Sequence, residues 1–192
     1  LTTGNTWSAR LTQVGRKLEL LRQRDTGLKV HGARRHRYEL GPRLSDAELR
    51  RWEARHGTAL PEEYRAFLQE LGNGGAGPSY GLRPLTEDAA PTGGTFPLSR
   101  PQAEARAREP VDEEGDFLEP PYEDRPPAAL WLCEHGCGEE DWLILRGDLN
   151  GAVWHTGDSH FAWFDLTTYR LYGFLDWYEN WLDEELAGLA GQ

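Results

Sequence analysis

The chain has 192 residues, 38% of them apolar and 28% charged, enough for one substantial core. Its 21 Lys and Arg stand against 32 Asp and Glu, a net charge of −11 that disfavours direct nucleic-acid or anionic-membrane binding. No run approaches the ~20 apolar residues that span a bilayer, the first residues lack the basic-then-apolar order of a signal peptide, and two cysteines are too few for a disulfide scaffold. A cytoplasmic setting is expected.

The charge is unevenly spread. Residues 1–60 carry 13 Lys and Arg against 6 Asp and Glu, a net +7, whereas residues 61–192 carry 8 against 26, a net −18. The body of the chain should therefore attract a basic partner through a field that salt weakens.

Trp7, Leu11, Val14, Leu18 and Leu21 recur at helical spacing and predict an amphipathic helix from about residue 6 to 24, with Asn5 as its cap. Asp25-Thr26-Gly27 ends it, and the basic stretch HGARRHRYELGP reads as loop with an extended piece near Tyr38 to Leu40. Residues 1–37 thus form an N-terminal helix and basic loop ahead of a domain over 38–192. Ser45 and Glu48 have capping-box spacing and open a second helix that Gly57 ends. Pro61, Glu62 and Glu63 suit the first turn of a third helix. Its Tyr64, Phe67, Leu68 and Leu71 make one apolar stripe, and Gly72 is expected to close it in the left-handed conformation. The run Asn73-Gly74-Gly75-Ala76-Gly77-Pro78 follows its helix and has no GK[ST], so it reads as permissive backbone and not as a phosphate loop. Tyr80 to Leu85 resumes as extended chain.

Residues 86–127 form an acidic insertion rich in Pro and Gly, too sparse in apolar residues for a core element. Within it, Ser99 to Arg108 predicts a short exposed helix. From Ala128 the pattern becomes one of strands at Ala129–Cys133, Trp142–Leu145, Ala152–His155 and Phe161–Leu166, with Asp148-Leu149-Asn150-Gly151 as a hairpin connection. Phe174, Trp177, Tyr178, Trp181, Leu182, Leu186 and Leu189 mark a closing helix broken at Gly188. The fold class is α+β: N-terminal helices, a central mostly antiparallel sheet and a closing C-terminal helix.

Chemistry is harder to find. Cys133, His135 and Cys137 form a C-x-H-x-C cluster, but no second pair supplies a fourth ligand beyond an isolated His155 or His160, so no metal or other cofactor is expected. No H-E-x-x-H is present, and an enzyme is not expected. Eight tryptophans stand out. Trp52, Trp131, Trp142, Trp177 and Trp181 lie on apolar stripes and are assigned to the core, while Trp163, among Asp158, His160 and Asp165, is expected to be partly exposed.

Three stretches carry a resemblance. LSDAELRRWEARHGTALPEEYRAFL (44–68), HGCGEEDWLILRGDLNGAVW (135–154) and FLDWYENWLDEEL (174–186) resemble, in order, the paired helices, the Gly-Cys turn with its flanking strands and the closing helix of the SUKH superfamily. The similarity runs from about 38 to 187. It implies an immunity protein that binds and occludes a cognate toxin, often a nuclease, in a bacterial polymorphic toxin system. The alternative is a regulatory or scaffold module of the same fold. The resemblance transfers no defined contact residues. The acidic loops and turns near the predicted sheet supply the expected partner surface: Asp112, Glu113, Glu114, Asp116, Tyr122, Glu139, Glu140, Asp141 and Asp158.

Overall fold

A computed structural model describes residues 7–109 and 118–191. The elements run α1 (Ser8–Arg24), α2 (Ala33–His36), α3 (Asp46–His56), α4 (Glu62–Glu70), α5 (Arg100–Arg108), β1 (Ala129–Gly136), β2 (Glu139–Ile144), β3 (Val153–Thr156), β4 (Phe161–Ala162) and α6 (Phe174–Ala190). The strands form one antiparallel meander in the order β1-β2-β3-β4. The expected α+β class is thus the observed one.

The sheet separates two apolar clusters. On one face Leu130, Leu132, Leu143, Leu145 and Val153 meet the apolar stripes of the helices, including Leu11, Val14, Leu18 and Leu21 of α1, Phe67 and Leu68 of α4, and Phe174, Tyr178 and Leu182 of α6. On the other, Trp142, Ile144 and Trp154 meet Phe96 and Ala103 from the insertion. Alternation along each strand produces this division, since successive side chains point to opposite faces.

Several local readings hold for the reasons given. Ser45 and Glu48 close their capping box, and Gly57 ends α3 at φ +60°. α6 and α1 follow their predicted stripes, although Gly188 does not break α6, which continues to Ala190 on an exposed side where no atom crowds it. The expected Asn5 cap lies outside the described residues.

Others are corrected. The basic loop contains the short helix α2, between Gly32 and Arg37, both left-handed. The 99–108 helix forms with a capping box between Ser99 and Gln102, but it is not simply exposed: Ala103 and Ala107 are buried, Ala103 in the cluster on the outer sheet face. Small side chains allow that close approach, which an apolar-content criterion overlooks. β4 is only two residues long, shorter than expected. Trp131 is half-buried, stacked on Trp142 and covered by the Arg83 guanidinium 3.7 Å from its ring.

Gly72 is not left-handed. It serves close approach instead, because a Cβ there would lie 2.5 Å from the Gly41 carbonyl oxygen. Gly75 needs both freedoms: it has φ +94° and room for no side chain beside the Glu39 carbonyl. Through it the glycine-rich run bridges Leu40 on one side and Leu82 on the other. Arg83 N–H then donates to Leu132 O at 2.8 Å, covering part of the otherwise open edge of β1.

Candidate functional site

The sheet brings together a group of polar side chains on its helix-facing side. Asp141 in β2 stands opposite Cys133 in β1 and His155 in β3. The first of these pairings depends on an irregularity in β1: between Trp131 and Cys133 two steps along β1 match one along β2. A second irregularity, between Glu134 and Gly136, places His135 over the same carboxylate. The hairpin linking the strands turns through Cys137 and Gly138, both at positive φ.

Asp141 has no solvent exposure. Oδ1 accepts from His155 Nδ1 at 2.9 Å and Trp163 Nε1 at 2.8 Å; Oδ2 accepts from His135 Nε2 at 2.8 Å and Trp177 Nε1 at 2.9 Å. Four N–H donors thus fill the capacity of one ionised carboxylate. Burial alone would raise its pKa, but the bonds from His135 and His155 outweigh that and hold it at about 2. Burial pulls the His135 pKa down, whereas Asp141 and then Glu139 push it up, with a net rise. The Cys133 thiol is pushed well up, first by burial and then by the Asp141 charge, so it is a neutral thiol. One anion therefore ties β1, β2, β3, the segment after β4 and α6 into a single unit.

Trp163 connects this unit to the surface. It is half-exposed, as expected, and while its N–H holds Asp141 its ring lines a cleft of about 540 Å³. Phe161, Phe164, Tyr172 and Leu118 supply further apolar walls, and Asp165, Asn180 and Glu184 stand among the polar groups at the cleft. Leu166, also at the cleft, is 83% exposed. This leucine extends the apolar surface of the aromatic hollow out to solvent.

The sequence-predicted surface residues divide accordingly. Asp112, Glu113, Glu114 and Asp116 lie outside the described residues. Glu139 and Glu140 are half-exposed at the start of β2, and Asp158 is exposed in the turn after β3. These three share one end of the sheet: Glu140 pairs with Thr156, and Glu139 packs on Gly157. The chain passes from Asp158 directly into the cleft-lining residues Ser159, His160 and Phe161. Tyr122 points inward, its hydroxyl accepting from Trp154 Nε1 at 2.7 Å and meeting His160 Nδ1 at 3.2 Å. Asp141 is the clear departure: strand alternation turns it away from Glu140 and into the core, where it offers no partner surface. The C-x-H-x-C set also separates. Cys137 is exposed at the hairpin tip, and Asp141 takes the third place beside Cys133 and His135.

Residues 43–180 match the SMI1 / KNR4 family (SUKH-1). The chain belongs to this family. No curated protein and no solved structure matches it. The match begins after α1, yet α1 of this SUKH-1 chain is packed into the same core as the matched region. Its basic side chains meet acids of α6: Arg10 bonds Asp176 at 2.7 Å and Glu179 at 2.6 Å, and Lys17 bonds Asp183 at 2.8 Å. The N-terminal positive charge is thereby partly spent inside the molecule. No helix among the described residues is long and apolar enough to cross a membrane.

Proposed function

We propose that this SUKH-1 protein is an immunity protein that binds a cognate toxin of a bacterial polymorphic toxin system and blocks it by occlusion. The observation that carries the reading is the apolar cleft with exposed Leu166, lying next to the acidic end of the sheet formed by Glu139, Glu140 and Asp158. That combination suits a basic protein surface presenting one or two apolar side chains. The acidic groups would speed encounter, and the aromatic hollow would supply desolvated contact. A toxin acting on nucleic acid has such a basic face, and covering it excludes the substrate without any chemistry by the inhibitor. Family membership supports the class of function, and the cleft supports the mode.

The test is co-expression with the toxic domain encoded beside this gene, scoring survival and complex formation together. Rescue with a stable complex is expected, and Leu166→Asp should weaken that complex by about tenfold or more, the loss typical of an interface hot spot. Neither rescue nor binding would transfer the assignment to a regulatory module acting on an endogenous partner.

A further inference from the structure

Cys133, His135 and Asp141 present three different metal-ligating atoms to one point. Cys133 Sγ is 3.6 Å from His135 Nε2 and 3.9 Å from Asp141 Oδ2, and the nitrogen and oxygen are 2.8 Å apart. Tetrahedral zinc, with bonds of about 2.0–2.3 Å, separates its ligand atoms by roughly 3.4–3.6 Å. The Cys133–His135 edge already has that value, and the Cys133–Asp141 edge need close by only roughly 0.3 Å. Only the His135–Asp141 edge must open, by roughly 0.6 Å, to exchange an N–H···O contact for a bridging ion.

We infer that Cys133, His135 and Asp141 form a binding site for a zinc-like divalent transition metal. Thiolate, imidazole and carboxylate together favour zinc over the oxygen-seeking magnesium and calcium. The supporting shell is present: His135 Nδ1 faces Ser79 Oγ at 2.9 Å, and Asp141 keeps its bonds from His155, Trp163 and Trp177 when Oδ2 turns one lone pair to the ion. On binding, the Cys133 S–H bond breaks and its proton leaves to solvent, while a single imidazole proton resides on Nδ1 towards Ser79. Thiolate and carboxylate then balance the two positive charges, and the buried site is neutral. Two of the ligands are fully enclosed; His135, with 16% of its side chain exposed, marks the side from which a water completes the fourth position. The sequence spacing argued against a metal for want of a fourth ligand; the fold puts Asp141 in the place of Cys137 and leaves the fourth position to water.

The experiment requires no toxin, so its outcome is separate from that of the immunity reading. Full-length protein stripped with chelator is titrated with Co²⁺ and then Zn²⁺, following the thiolate-to-cobalt charge-transfer band and the bound metal by elemental analysis after dialysis. One equivalent with a thiolate band is expected, retained in Cys137→Ser and lost in Cys133→Ser. Because the chain has two cysteines, a band that survives Cys137→Ser identifies Cys133 even if Cys133→Ser fails to fold. Ser79→Ala should weaken binding by about tenfold. Absence of stoichiometric metal, or a band abolished by Cys137→Ser, overturns the site.

Discussion

Asp141 shows how little of a residue's role is fixed by its type. In sequence it stands third in the acidic run Glu139-Glu140-Asp141 and reads as surface; in the fold it is the most enclosed charge of the group. What separates the two readings is register, and the register depends on irregularities in β1 that no local pattern announces. A signal did exist: Asp141 immediately precedes the apolar run Trp142 to Leu145, where a strand has already begun to alternate. Removing the carboxylate leaves four N–H groups without their acceptor, those of His155 and Trp177 buried. Asp141→Ala in metal-free protein should therefore cost about 3–5 kcal/mol, the range for breaking a buried charge network, measured by urea denaturation. A loss below about 1 kcal/mol would mean that the donors find other acceptors.

Among the elements, α1 and α6 were the most legible, since long stripes at helical spacing leave little choice. α5 was legible as a helix but not as a packed one, because its buried side chains are alanines. The α1–α6 contact adds a charge arrangement that periodicity cannot reveal. Asp176 is mostly enclosed, and burial would raise its pKa, but Arg170 and Arg10 hydrogen-bond to it and hold it below the usual carboxylate range. A carboxylate depressed in the folded state contributes stability above its unfolded pKa of about 3.9 and loses it as pH falls through the lower folded value. The stability advantage of the parent over Asp176→Asn should thus be constant near neutrality and decline below about pH 4, which paired denaturation curves would detect. A pH-independent difference would assign the contribution to packing and neutral hydrogen bonds.

At the scale of the whole molecule, the order of helices, sheet and closing helix was readable because each segment carries its own periodicity and punctuation. The cleft was not, since Phe161, Phe164, Leu166 and Tyr172 lie in short irregular chain around β4 and share no simple spacing. The charge asymmetry was readable, but its destination was not: part of the N-terminal excess neutralises α6. An exposed leucine contributes little to folding, so Leu166→Asp should change stability by less than about 0.5 kcal/mol while impairing toxin binding. Thermal denaturation beside a binding titration separates these, and a variant that unfolds would make Leu166 a structural residue.

The cleft has one wall that cannot drift. Trp163 is held from behind by a carboxylate that five segments of the chain share, whereas the exposed Leu166 and Glu184 carry no such obligation to the core. Substitutions at the mouth can accumulate while the hollow keeps its form. With the cleft as the toxin-binding surface proposed above, a lineage facing a changing adversary would revise whom it recognises through its lip residues alone, with the scaffold inherited intact.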